Sequence, residues 1–145
     1  MKNPYITAIL ALTALSFSTG AMAQSMSKSE YKTAEKSIES DYKSAKGRCE
    51  SFADNAKDIC LAVAKGNEKV AKAELEARYK PSKKAGYEVS VTKAKADYEV
   101  AKEKCDDQTG NVKNVCVEEA KAALANAESD AKAQFNTKNA MIIAN

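Results

Sequence analysis

Four cysteines are the residues of this 145-residue chain best able to do chemistry, and their spacing decides which chemistry that is. They fall in two pairs, Cys49 with Cys60 and Cys105 with Cys116, ten residues lying inside each pair. A catalytic thiol–disulfide couple uses Cys-x-x-Cys, which the chain lacks. Zinc ligands come in closely spaced pairs, often with His, and the chain has no His. In an exported protein four cysteines read first as two structural disulfides. Cys49–Cys60 and Cys105–Cys116 are the favoured bonds, each closing a turn and contributing ~3 kcal/mol in the chain-entropy account. A second pairing stays open at this point. Eleven helical steps return a side chain to within ~20° of its starting face, so Cys49–Cys116 and Cys60–Cys105 would fit two continuous antiparallel helices. The run Asp106-Asp107-Gln108-Thr109-Gly110-Asn111 speaks for a turn there and hence for local bonds.

Little other chemistry is on offer. Without His the commonest general base is missing, and no phosphate loop, nucleophile elbow or zinc-protease signature occurs. The carboxylates alternate with lysines at helical spacing. Glu39/Lys43, Glu68/Lys72, Glu74/Arg78 and Glu128/Lys132 are i, i+4 pairs in the favourable order, each worth ~0.2–0.5 kcal/mol. No catalytic residue, cofactor or metal ligand is assigned, and the protein is not expected to be an enzyme.

The elements that position the cysteines come from a duplication. A shift of 56 residues lays Tyr31, Tyr42, Cys49, Cys60 and Tyr79 on Tyr87, Tyr98, Cys105, Cys116 and Phe135. The same shift matches Asp41, Ala45, Lys46, Asn55, Lys57, Ala64, Lys65, Ala71 and Ala77 with Asp97, Ala101, Lys102, Asn111, Lys113, Ala120, Lys121, Ala127 and Ala133. Alanine and lysine coincide easily by chance, but two cysteines and two aromatic positions in one register do not. Internal periods of this kind signal repeated supersecondary units.

Each unit reads as helix, turn, helix. Tyr31, Ala34, Ile38, Tyr42, Ala45 and Cys49 recur at three- and four-residue steps on one face. Tyr87, Val91, Ala94, Tyr98, Ala101 and Cys105 repeat that stripe, and its tyrosines fill space between Ala-rich helices. The returning arms carry Ile59, Val63, Val70 and Ala73, then Val112, Cys116, Ala120, Ala127 and Ala131. Ser27 and Glu30 form a capping box, and Pro81 separates the copies because Pro inside a helix costs ~3 kcal/mol. The fold class is all-α: two antiparallel helical hairpins, four long helices, each hairpin stapled near its tip. The hairpins pack as a bundle or join end to end.

The N-terminus is read as a separate segment. Met1-Lys2-Asn3 carries one positive side chain, Ile6 to Phe17 is apolar and uncharged, and Ala21-Met22-Ala23 offers small residues to a signal peptidase. The apolar run is too short for a spanning helix of ~20 residues, so cleavage before Gln24 is expected, with no transmembrane segment left. The organisation is then a signal peptide at 1–23, repeat one at 24–80, a linker at 81–86, repeat two at 87–135 and an apolar tail at 136–145. That tail ends Met141-Ile142-Ile143-Ala144-Asn145 and is expected to fold back or fray, a docking role being the minority reading. Removing Lys2 leaves 22 basic and 20 acidic side chains, a net +2. So small an excess argues against nucleic acid as partner. From residue 24 onward there are 22 Ala and three Leu, which favours helix and leaves a thin core in need of staples.

The motif Asp-Tyr-x2-Ala-Lys-x2-Cys, followed by Asn-x-Lys-x2-Cys and a long Lys/Ala/Glu helix, recurs in both copies over residues 31–135. It resembles small exported proteins of Gram-negative bacteria labelled TolA-like or cell-envelope-biogenesis proteins. The resemblance implies a periplasmic structural or interaction role with envelope proteins as partners, and it brings no site residues. A small stress-related holdase, binding unfolded clients along an amphipathic surface, is the alternative.

Overall fold

Single residues set where the helices begin. Ser27 Oγ accepts the Glu30 N–H (3.2 Å) and Glu30 Oε2 accepts the Ser27 N–H (2.7 Å), completing the capping box. The computed structural model describes residues 26–143, with side-chain environments through Thr137. The leader read at 1–23, the cleavage point before Gln24 and the final Ala144-Asn145 lie outside the described residues. From its cap α1 runs Lys28–Cys49, followed by α2 Asp54–Tyr79, α3 Lys83–Cys105 and α4 Gly110–Ile143. Among the described residues there are no strands, and no helix is long and apolar enough to cross a membrane.

The two returning helices start alike. Asp54 opens α2 at φ 47° and Gly110 opens α4 at φ 59°, both left-handed and 56 residues apart. A left-handed residue at this point turns the chain back on itself, which Gly does without a Cβ penalty and Asp tolerates better than most. Pro81 follows the end of α2, and Ser82 Oγ accepts the Ala85 N–H (2.9 Å) to start α3. That cap draws residues 83–86 into α3, so the expected linker at 81–86 shrinks to the turn between α2 and α3. At the other end nothing interrupts α4: no Gly or Pro follows Gly110. Residues 136–143, read from sequence as a tail, therefore continue that helix.

Short connections make successive helices antiparallel neighbours. Contacts join α1 to α2, α2 to α3 and α3 to α4; among the described residues no other two helices approach within 8 Å between Cα atoms. The four helices thus form an open row, with α1 and α4 at its edges, instead of closing into a bundle. Both disulfide tips lie at one end and the Pro81 turn at the other.

Within each hairpin the packing repeats. Cys49, Ala64 and Leu75 are buried in the first, and their equivalents Cys105, Ala120 and Ala131 in the second. Tyr31 meets Tyr79 with ring centroids 4.6 Å apart, and Tyr87 meets Phe135 at 5.4 Å, both tilted. Each hairpin is therefore held by a covalent bond at its tip and an aromatic pair at its base. The first-arm stripes lie inward as expected, half-buried or buried throughout. The returning arms differ from expectation. Val63 is exposed, because α2 has neighbours on two sides and the residues that meet α1 (Cys60, Ala64, Leu75, Tyr79) form a different stripe from those that meet α3. On α4, which packs on α3 alone, Val112 and Ala127 are exposed because they fall outside the stripe of Cys116, Ala120 and Ala131.

Between the hairpins the contact is close and made of small residues. A Cβ added to Gly66 of α2 would stand 3.1 Å from the Cβ of Ala96 in α3. Near the tips Asn55 Nδ2 donates to the backbone carbonyl of Glu103 (2.8 Å), tying the first turn to the end of α3. Of the expected i, i+4 ion pairs Glu68–Lys72 forms at 2.7 Å, while Glu128 reaches instead across to Lys95 of α3 at 3.8 Å.

Candidate functional site

The sulfur chemistry is structural. Cys49 is bonded to Cys60 and Cys105 to Cys116, with Cα atoms 5.5 and 5.7 Å apart, the usual spacing for a disulfide. The local pairing is the one present, and all four cysteines are used. Beside each bond an ion pair repeats in register: Lys57 with Glu50 (2.6 Å) and Lys113 with Asp106 (2.9 Å). The hydrogen bond from Lys57, and then its charge, hold the Glu50 carboxyl below its ordinary range. Among the described residues no three acidic or cysteine side chains converge as a metal site.

The remaining titratable groups mark helix architecture. Glu30 sits below its ordinary range because the Ser27 hydroxyl and backbone N–H donate to it. Lys72 and Lys121 are raised, chiefly by hydrogen bonds to Glu68 and Glu118. The Tyr31 phenol is pushed up, first by desolvation against the opposing arm and then by Glu76 beside it. None of these groups sits in an enclosed cavity with a second reactive partner.

What the row offers is surface. On one broad face a groove at the first tip is lined by Ala45, Gly47, Cys60 and Ala64, with Phe52 and Val63 as its large apolar side chains. Its volume is about 640 Å³. Phe52 is 50% and Val63 39% exposed, and Arg48 is the charged residue in its wall. Val63 and Asn67 also border a second groove of about 550 Å³ between α2 and α3, where Val70, Val100 and Ala101 continue the apolar strip between Lys93, Lys104 and Asp97. The opposite face carries a groove of similar size whose lining mixes Lys46, Lys65 and Lys69 with Asp58, Glu99 and Glu103. The two faces therefore differ: one apolar with a cationic rim, the other of balanced charge.

Sequence reasoning assigned only the disulfides and passed over the apolar strip. The signal was present in the duplication. Where the first hairpin has Phe52 and Val63, the 56-residue shift gives Gln108 and Glu119, so the repeat is broken at the two most conspicuous residues of the groove.

Comparison with known proteins returns no matching family, curated protein or solved structure for this chain.

Proposed function

We propose that this protein is a non-enzymatic structural or interaction protein of the bacterial cell envelope, exported to the periplasm and TolA-like by resemblance. The observation that carries the reading is the open row. Its helices touch only their neighbours in sequence, so both broad faces remain available to other molecules. One disulfide at the tip and one ring pair at the base hold each hairpin, which gives a stiff surface from a chain with few buried large side chains. Disulfides persist in oxidising compartments, in keeping with the leader-like segment at 1–23 and a mature N-terminus at Gln24.

A photo-crosslinking residue placed at Lys65 or Ser129, both exposed and away from the apolar strip, tests the reading in intact cells. Capture of defined envelope proteins, together with release of a chain beginning at Gln24 by osmotic shock, is the expected result. Recovery of the uncrosslinked chain alone, or of an unprocessed chain in the cytosol, would count decisively against it. The exposure of Phe52, Val63, Val112 and Val115 favours one further reading, a periplasmic holdase. That version predicts suppressed aggregation of a reduced model client at near-stoichiometric ratio; unchanged light scattering would remove it.

A further inference from the structure

The hairpin fold does not require the apolar groove at the first tip. The second hairpin has a turn of the same length, 106–109 against 50–53, with an equivalent disulfide and an equivalent ion pair, yet it carries Gln108 in place of Phe52 and Glu119 in place of Val63. Phe52 and Val63 are half-exposed in the first hairpin, where each loses part of the ~1.5–3 kcal/mol that full burial of such a side chain would contribute. Their presence is therefore explained neither by the turn, which Gln108 makes as well, nor by packing.

Charge distinguishes this strip from the rest of the surface. Its apolar line runs from Phe52 over Val63 to Val70 and Val100. Arg48 borders its α1 side, and Lys93 and Lys104 its α3 side, with Asp97 as the acidic side chain among the lining residues. Among the described residues, none of these three cations is in an ion pair. In the second hairpin the cation of Arg48 recurs as Lys104, but Ser51 and Val63 are replaced by the acidic Asp107 and Glu119. An apolar floor beneath unpaired cations complements a segment that presents apolar side chains on one side and carboxylates along their edge.

We propose that the strip Phe52–Val63–Val70–Val100 is a docking groove for an acidic amphipathic segment of a partner protein, its apolar side chains seated over Phe52 and Val63 and its carboxylates on Arg48, Lys93 and Lys104. The two grooves adjoin at Val63 and Asn67 and together cross α2 from α1 to α3, a shape that receives a helix laid on it better than it inserts into a lipid surface. This gives the envelope partner of the reading above a chemistry, and in that sense rests on it.

The test uses the oxidised protein and a fluorescent helical peptide of about 18 residues, ~27 Å long, with Leu at i, i+3, i+4, i+7 spacing flanked by Glu. A second peptide replaces every Glu by Lys, and phosphatidylglycerol vesicles serve as the lipid probe. Saturable binding of the acidic peptide is expected, with the Lys version at least ~10-fold weaker, a difference of ~1.4 kcal/mol. The double variant F52Q/V63E carries the residues the second hairpin already uses, so its disulfides and helicity are retained; it should lose at least ~10-fold in affinity, as buried anchors do. Arg48→Gln with Lys104→Gln should weaken the acidic peptide and flatten its salt dependence. Equal binding of both peptides, undiminished binding by F52Q/V63E, or vesicle binding without peptide binding would each overturn the proposal. Crosslinking from Lys65 and Ser129 does not involve the groove, so capture there alongside a failed peptide titration removes the groove and leaves the envelope role standing.

Discussion

Gly66 and Ala96 bring α2 and α3 so close that a Cβ on the glycine would stand 3.1 Å from the alanine Cβ. This is the seam between the two repeats, and it fixes the distance between hairpins. Gly66→Val should overpack the seam and cost about 1–3 kcal/mol, seen as a lower urea midpoint with an unchanged slope. Gly47, also helical, has nothing within 4 Å of its would-be Cβ. Gly47→Ala should therefore gain about 0.4–1 kcal/mol. A destabilisation at Gly47 equal to that at Gly66 would show that the cost comes from the helix and not from the seam.

The left-handed start of each returning helix makes a paired prediction. Gly110→Ala forces a Cβ into φ 59° and should lose about 1–2 kcal/mol. Asp54→Gly, which installs the residue of the second hairpin at the equivalent position, should hold stability or raise it by up to about 1 kcal/mol. Thermal melts of the two single variants decide the matter: a loss on Asp54→Gly as large as that on Gly110→Ala would mean the turn depends on the Asp54 side chain.

These relationships separate what was legible in the sequence from what was not. The capping box at Ser27 and Glu30, the break at Pro81, the inward stripes from Tyr31 to Cys49 and Tyr87 to Cys105, and the turn around Gly110 are local, and local pattern declares them. The same 56-residue register also carries the ring pairs, the tip ion pairs and the left-handed residues. The seam is different. Gly66 and Ala96 are small, their contact leaves no hydrophobic periodicity, and Asn55 reaches a backbone carbonyl, which has no sequence signature. That is why the sequence leaves the two hairpins at a bundle or an end-to-end join, and why it places Val63 inward on a helix read as having one packed side. The groove went unseen for a related reason. Phe52 lies in a turn, outside any stripe, and only its mismatch with Gln108 marks it.

The two disulfides close loops of identical length, so the chain-entropy account assigns them equal contributions of ~3 kcal/mol. Cys49→Ala/Cys60→Ala and Cys105→Ala/Cys116→Ala should each lower the melting temperature by roughly 10 °C, given a few degrees per kcal/mol for a domain of this size. A non-reducing peptide map should find Cys49 with Cys60 and Cys105 with Cys116. Links between the copies would contradict the antiparallel row. A much larger effect at one tip would identify that hairpin as the one whose folding the other depends on.

The capping box gives a pH dependence with a definite sign. Glu30 is held below its ordinary range by the hydrogen bonds from Ser27, so its contribution is fully present above the unfolded carboxylate range. It is lost as pH falls through the folded value, when protonation removes the acceptor. Amide exchange at the start of α1 should accelerate in that acid window ahead of the rest of the chain. Ser27→Ala removes only the hydroxyl, because the backbone N–H of residue 27 still reaches Glu30, and should reduce the pH response in part, whereas Glu30→Gln should erase it; a pH response that survives Glu30→Gln would assign it to another carboxylate.

The edges of the row raise the question of why it stops at four helices. The repeat carries Ala96 and Val100, which line the seam with α2, and Val89, seven residues before Ala96 and so on the same helical face, onto Ser40, Ser44 and Thr33 on the outer side of α1. It carries Ala62, Gly66 and Val70 of α2 onto Glu118, Ala122 and Asn126 on the outer side of α4. All six edge residues are exposed. Apolar seam positions have become hydroxyl, amide and carboxylate, and the glycine that permits close approach has become alanine. A second copy laid edge to edge would meet a Cβ where Gly66 leaves space, as the polar outer face of a terminal repeat does in stacked-repeat proteins. Restoring the seam at both edges, with Thr33→Val, Ser40→Ala and Ser44→Val on α1 and Glu118→Ala, Ala122→Gly and Asn126→Val on α4, should create a head-to-tail contact. Such a contact does not close, so the products grow with concentration. Sedimentation velocity should show the sixfold variant forming a ladder of species at concentrations where the unaltered protein does not. Variants carrying only the α1 or only the α4 changes should stay as the unaltered protein is. If the sixfold variant sediments like the unaltered protein, the polar edges are not what ends the row.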